Sequence, residues 1–313
     1  MMSSKRATRN ELVVVTGAST GIGAATAREL AHKGFHVLAG VRREVDADAL
    51  RADGIEPHIL DITVESDVAA IADRVARDPL HRPLRALVNN AGIAVNSPVE
   101  TLPIAQWRRQ FEVNLFGHIA IIQALLPALL ISSGTVVNIS SVGGKVVLPT
   151  YGAYAGSKFA LEAASDALRR EVAELGIKVV VIEPGAVKTE MAERGIATVD
   201  RLNAGMTAGQ LQRYGDLTAA ISAQARSFIK TGVAAEHAAK VIAKAATTSR
   251  PRTRYAIGRD AAILVRLTRV VSDRFLDRIL RLGLRPHYVE NSQARAPHAD
   301  PSISVGAVSR DQS

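Results

Sequence analysis

Tyr154 and Lys158 stand four residues apart at the start of a long helical pattern, behind the small-residue run Ser140-Ser-Val-Gly-Gly144. On a helix, positions i and i+4 lie on one face, a turn apart. An ammonium at that distance favours a phenolate and is expected to lower the Tyr pKa from its ordinary value of about 10. A phenol poised in this way passes a proton to or from an alcohol or carbonyl oxygen at neutral pH. Ser141, thirteen residues upstream of Tyr154, is placed to donate a hydrogen bond to the same oxygen. Tyr151 does not fit the pattern, because its own i+4 position is Ala155. Taken alone, Tyr-x-x-x-Lys also occurs on many solvated helix faces, so its meaning depends on the elements that precede it.

Those elements alternate. Glu11–Thr16 is a β-branched run that opens into Gly17-Ala-Ser-Thr-Gly-Ile-Gly23, and a helical pattern follows to Lys33. Strand, Gly-rich turn and helix N-terminus form a phosphate cradle: Gly17 permits the turn, Gly21 a close backbone approach, Gly23 tight helix–strand packing. An ordinary tight turn is the alternative. Gly34–Gly40 reads as a second strand followed by Arg42 and Arg43, and 58–61 as a third ending on Asp61. Asp61 suits an acceptor for an adenine amino group; the same stretch also offers helix N-caps at Thr63 or Ser66. Leu84–Val88 is a fourth strand running into Asn89-Asn-Ala-Gly92, and Gly134–Ile139 a fifth that delivers Ser140 and Ser141. A helix is read over Trp107–Ile131 with Asn114 inside it, an unfavourable helix-interior residue. A helix over Tyr151–Leu175 closes on Gly176, and Lys178–Ile182 is a sixth strand ending in Glu183-Pro-Gly185. Short connections between alternating strands and helices predict an α/β fold, a doubly wound parallel sheet of Rossmann type in a single domain.

Thr16-Gly-x-x-x-Gly-Ile-Gly23, Asn89-Asn-Ala-Gly92, Asn114, Ser141, Tyr154-x-x-x-Lys158 and Pro184-Gly185 occur in order. This set resembles the short-chain dehydrogenase/reductase family over roughly 11–258, and 140–172 is most similar to its branch acting on hydroxysteroids, retinol and other lipophilic alcohols. The resemblance implies hydride transfer between a nicotinamide cofactor and a secondary alcohol or ketone. Ser141 would polarise the substrate oxygen, Tyr154 act as general acid/base, Lys158 lower the Tyr pKa and hold the nicotinamide ribose, and Asn114 keep a water in a relay to Lys158. Cofactor contacts would come from Gly17, Ser19, Thr20, Gly21, Ile22 and Gly23 in the turn, and from Arg42 and Arg43. Asp61, Ile62, Asn89, Ala91 and Gly92 would follow, with Tyr154, Lys158, Pro184, Gly185, Val187 and Thr189 on the nicotinamide side. The second strand ends without an acid and with two Arg, which favours NADP(H) over NAD(H). A homodimer or homotetramer built on the helices carrying Asn114 and Tyr154 is also implied. The rival from another class is a cofactor-sensing binding protein of the same fold without turnover.

With 313 residues and 47% hydrophobic content, one such domain has ample material for its core. No Cys is present, so disulfides, thiolate metal sites and a Cys nucleophile are excluded, and no metal site is read. The polar, basic stretch 1–10 is expected to be flexible and is no signal peptide, and Ile119–Ile131 is interrupted by Gln123 and Pro127. That run falls short of the ~18–20 residues of a membrane span, so a cytoplasmic protein is expected. Within 190–232 lies the segment covering the substrate. The net charge of +9 concentrates between Arg250 and Pro286, with ten Arg against three Asp, but no nucleic-acid motif accompanies it. The extension 259–286 mixes Arg with apolar residues at helical spacing. Packing on the body is preferred over a lid or a peripheral membrane contact through 261–284. From 287 to 313 a disordered tail is expected.

Overall fold

Leu12 and Val14 point into one layer of the core and Val13 and Val15 into the other, so the first strand is apolar at every position. Strands covered on both faces lose the alternation of a half-exposed sheet. The computed structural model describes residues 10–268 and 270–288; the N-terminal stretch up to 9 and the tail from 289 lie outside the described residues. Seven strands, β1 (Leu12–Val15), β2 (His36–Val41), β3 (Ile55–Ile59), β4 (Leu84–Asn89), β5 (Thr135–Ile139), β6 (Lys178–Pro184) and β7 (Arg254–Ile257), form one sheet. Its order is β3-β2-β1-β4-β5-β6-β7, and every pairing is parallel.

One face packs on α1 (Gly21–His32), α2 (Glu44–Leu50) and α9 (Ala235–Thr247), through small residues such as Ala27, Ala238 and Ala243. The other face packs on α3 (Glu65–Ala76), α5 (Gly117–Ser132) and α6 (Gly152–Glu171), through Ile71, Ile121, Leu125 and Leu168. Each such side chain, fully buried, contributes about 1.5–3 kcal/mol. The chain order reverses between β1 and β4, which opens a crevice at the carboxyl ends of the strands.

Several sequence boundaries shift. The third strand ends at Ile59, short of Asp61, and α6 ends at Glu171, ahead of Gly176. The helix expected over Trp107–Ile131 runs continuously from Ile104 to Ser132, as α4 (Ile104–Phe111), a π-helical turn (Glu112–Phe116) and α5. At 29 residues it is long and apolar enough to cross a membrane by length and composition, which corrects the shorter reading. Its inner face, including Ile121 and Leu125, nevertheless sits fully in the core.

The covering segment is two helices, α7 (Glu190–Ala204) and α8 (Ala208–Thr231). The basic extension forms α10 (Arg259–Leu267) and α11 (Asp273–Leu284). Leu284 is buried with Ala220 and Ile221 of α8, against Tyr151 and Leu217, and Ala261 lies against Gly185. The extension therefore packs in two places, α10 on the end of the sheet at Gly185 and α11 on the covering helix α8. Ile263, Val270, Phe275 and Leu282 remain on its outer side.

Candidate active site

Gly17 adopts φ +64°, and a Cβ there would lie 2.7 Å from the Ala91 Cα; one on Gly23 would lie 2.3 Å from the Gly17 carbonyl oxygen. Only glycine permits this approach of the turn after β1 to the loop after β4. The buried Thr16 hydroxyl locks the two together by accepting from the Asn90 and Ala91 amides, both at 3.0 Å. Asn90 Nδ2 returns the contact to the carbonyls of Thr16 (3.0 Å) and Gly17 (2.9 Å). Thr20 is the N-cap of α1 but its side chain makes no capping bond, and no acid stands in the first turn. The first amides of α1 thus face the crevice without an internal acceptor, a site made for phosphate. The cradle fits a dinucleotide pyrophosphate.

The sequence motif Asn89-Asn-Ala-Gly92 divides in space. Asn89 donates to Asn138 Oδ1 at 3.0 Å, and Asn138 donates to Ser165 at 2.8 Å, so Asn89 joins β4, β5 and α6 from inside. Asn89 is fully buried, and Asn90 is the side-chain amide that reaches the Gly-rich turn. His118, missed from sequence, contacts the Ala91 carbonyl through Nε2 at 2.6 Å. Burial, assisted by the Lys158 charge, drops its pKa to about 3, so the ring is neutral and Nε2–H is the donor.

β5 delivers Ser141, whose Oγ accepts from the Gly143 amide at 3.0 Å. Burial raises the Tyr154 pKa, and the neighbouring Ser141 hydroxyl, which favours the phenolate, offsets this only in part. This corrects the expectation that Lys158 lowers it. Lys158 Nζ donates instead to the Ile139 carbonyl at 2.8 Å, and desolvation, partly offset by Glu162, brings its own pKa down to about 8. Tyr151 lies edge-on to Tyr154 with centroids 6.2 Å apart, and burial pushes its phenol up to about 12.

Asn114 is fully buried in the π-helical turn, where a widened ladder often marks a functional position. Its Oδ1 accepts from the Ile93 amide (2.9 Å), and its Nδ2 donates to the Ile93 carbonyl (2.9 Å) and Ser157 Oγ (3.0 Å). These bonds fix the Asn114 side chain between the loop after β4 and α6. A Cβ on Gly92 would come 3.4 Å from Asn114 Oδ1 and 3.8 Å from Lys158 Nζ, which brings Gly92, Asn114 and Lys158 together.

The adenosine end differs from the sequence reading in detail. Arg43 forks onto Asp46, Nε to Oδ2 at 2.7 Å and Nη2 to Oδ1 at 2.6 Å, while Arg42 is exposed with no ion pair among the described residues. Asp61 Oδ1 accepts from the Thr63 amide (3.0 Å) and hydroxyl (2.7 Å), so one carboxylate oxygen already holds the turn before α3. Ile62 and Val187 are buried, Ile62 against Gly117 and Val187 in a bridge with Val233, which leaves their main chains to meet a ligand. Ser19 and Ile22 stay half-buried in the turn. Pro184 ends β6 and Gly185 follows it, and Thr189 caps α7 against Gly21. Arg194, four residues into α7 and not singled out from sequence, has Nη2 3.5 Å from Thr20 Oγ1.

Comparison with known proteins agrees with this geometry. The family model for short chain dehydrogenase matches residues 11–199. The NADPH-dependent 3-dehydrocapnine reductase of Ornithobacterium rhinotracheale is 32% identical over 280 residues, 87% of this chain and 96% of that protein. Retinol dehydrogenase 7 of Mus musculus is 35% identical over 263 residues, 82% of this chain and 83% of that protein. A crystal structure of a short-chain dehydrogenase from Streptomyces avermitilis superposes with a TM-score of 0.67 at 29% identity, covering 88% of this chain and 95% of that one. The matched region contains the cradle, Asn114, Ser141, Tyr154 and Lys158 alike, and the chain belongs to the short-chain dehydrogenase family.

Proposed function

We propose that this protein is an NADP(H)-preferring oxidoreductase that interconverts a lipophilic secondary alcohol and its ketone. The observation that carries the reading is the gathering of Ser141 and the Tyr154 ring around Gly143, after β5, with Lys158 held on the Ile139 carbonyl and close to Gly92. A bound nicotinamide cofactor supplies or takes up the hydride. Ser141 orients the substrate oxygen, and Tyr154 takes the hydroxyl proton in oxidation and returns it in reduction. Lys158, tied to Ile139, is positioned to hold ribose hydroxyls and to replenish the proton.

Two things favour a lipophilic substrate. Tyr151, the edge-on neighbour of Tyr154, packs on an apolar cluster of Leu217, Ala220, Ile221 and Leu284. A retinol dehydrogenase is also among the similar proteins. The NADP(H) preference is supported by the absence of an acid at the end of β2, by Arg42 and Arg43 there, and by a similar reductase named as NADPH-dependent. The exposed Phe116, Ile131 and Phe159, on the two helical elements carrying Asn114 and Tyr154, support a homodimer or homotetramer formed through them.

The test is turnover of steroids, retinoids and aliphatic ketones by purified protein with each cofactor. Saturable turnover with NADPH on apolar ketones is expected. Tight cofactor binding without turnover across the panel would favour the sensing protein instead.

A further inference from the structure

We infer that Arg194, carried on the covering helix α7, grips the 2′-phosphate of NADP(H) together with Arg42 and Arg43, so that the helix closing over the substrate also reads the cofactor. The inference rests on the NADP(H) reading above and adds a residue and a coupling to it.

The turn Gly17–Gly23 contains no basic residue of its own. The chain supplies one from elsewhere. Thr189, the N-cap of α7, seats the start of that helix on the turn: a Cβ on Gly21 would meet Thr189 Cγ2 at 3.2 Å. One helical turn on, Arg194 reaches back to Thr20, with Nη2 3.5 Å from Oγ1. Its other contact is equally loose, with Nη1 3.9 Å from Glu190. A guanidinium held by two long contacts keeps most of its planar fork available.

The anion-attracting character of this corner is visible in Asp46. Arg43 holds its carboxylate through both oxygens, and the charges of Arg42 and Arg194 act on it as well, all three pulling its pKa down. Arg43 at the end of β2 thus forks onto a half-buried carboxylate, while Arg194 of α7 reaches Thr20 of the phosphate cradle. Asp46 satisfies only the Arg43 fork. A phosphate monoester brings about two negative charges and three acceptor oxygens, which is more than one carboxylate offers and enough to engage several forks. NAD(H), with hydroxyls at that position, gives Arg194 no charged partner. The 2′-phosphate would thus draw α7 onto the turn, and the covering segment would be ordered by NADP(H) in a way NAD(H) cannot reproduce.

The experiment is calorimetric titration of NADP+, NAD+ and 2′,5′-ADP into the wild-type protein, Arg194→Ala and Arg194→Lys. It is paired with limited chymotrypsin digestion, followed within 190–204. Arg194→Ala is expected to weaken NADP+ and 2′,5′-ADP by about tenfold or more, the worth of one charge-assisted contact, and NAD+ by less than about twofold. Arg194→Lys should recover part of the loss. NADP+ should protect 190–204 in the wild type more than NAD+ does, and the difference should vanish in Arg194→Ala. If the wild type prefers NADP+ and Arg194→Ala leaves that preference unmoved, or weakens both cofactors equally, Arg194 is not a 2′-phosphate ligand and this inference alone falls. A wild-type preference for NAD+ would overturn the NADP(H) reading itself.

Discussion

Lys158 Nζ donates to the carbonyl of Ile139 at 2.8 Å, and this one bond ties the helix carrying Tyr154 to the strand that delivers Ser141. Ile139 is the last residue of β5, so the bond sits two residues before the Ser141 hydroxyl. The cost is a desolvated ammonium, whose pKa falls from 10.5 to about 8. A shift of that size is about 3 kcal/mol of unfavourable burial at neutral pH.

Lys158→Met is therefore expected to abolish most activity without a matching loss of stability. Met keeps the apolar stem and removes the buried charge, while leaving the Ile139 carbonyl without its donor costs about 1–3 kcal/mol. The two effects nearly cancel at pH 7. Between pH 8 and 10.5 the native wild type has lost a proton that the unfolded chain still holds, so wild-type stability rises with pH across that window relative to the variant. Denaturation of both proteins at pH 7 and pH 10 measures this. A variant less stable by much more than the carbonyl cost at pH 7 would contradict the assignment of the burial penalty.

Tyr154→Phe should lower kcat by ~10²–10⁴-fold and leave cofactor affinity nearly unchanged, since only the proton-carrying oxygen is lost. Tyr151→Phe is the matched control. Tyr151 is also a half-buried Tyr, but its pKa is pushed up to about 12 and Ser141 does not offset that rise. Steady-state kinetics on both variants decides the matter, and substantial activity in a folded Tyr154→Phe protein would remove Tyr154 from the reaction.

Local pattern carried the alternation of strands and helices and the position of the Gly-rich turn, because each depends on residues a few positions apart. What stayed hidden depended on direction or distance. Adjacent residues at a strand end face opposite ways, and nothing in Asn89-Asn90 says which amide reaches the Gly-rich turn. The π-helical turn around Asn114 changes the ladder without changing the apolar period. Arg194 is separated from Thr20 by 174 positions, and neither residue's neighbours betray the contact. The direction of the Tyr154 shift also escaped, because i, i+4 spacing specifies a shared face but not where the ammonium of Lys158 points or how deeply the phenol is enclosed.

Thr16 links the two loops of the cradle, so Thr16→Val tests how much the cradle depends on it. Val has nearly the same shape but cannot accept the Asn90 and Ala91 amides. Two part-buried donors would be orphaned, at about 1–2 kcal/mol each. The expected result is a loss of about 2–4 kcal/mol by urea denaturation, with weaker cofactor binding, while Thr16→Ser retains both. Equal stability of Thr16→Val and wild type would show that the loops are held by packing alone.

The covering helices make the last prediction, that catalytic efficiency climbs with the apolar bulk of the substrate. Leu217, Ala220 and Ile221 of α8 and Leu284 of α11 gather against Tyr151, whose ring is 6.2 Å from Tyr154. Each methylene buried against such a wall contributes up to ~0.8 kcal/mol, or about fourfold in kcat/KM. A homologous series of methyl ketones should therefore show a steep rise until the enclosed length is filled, then a plateau. Leu217→Ala removes a half-buried part of this wall away from the acid/base, so it should flatten the rise while leaving kcat on the shortest ketone within about threefold. Leu284→Ala should act in the same direction, because the C-terminal extension packs directly on α8. The measurement is kcat/KM against chain length for the three proteins. A flat series in the wild type, or a preference for small charged hydroxy acids, would mean that the apolar wall supports the fold and does not select the substrate.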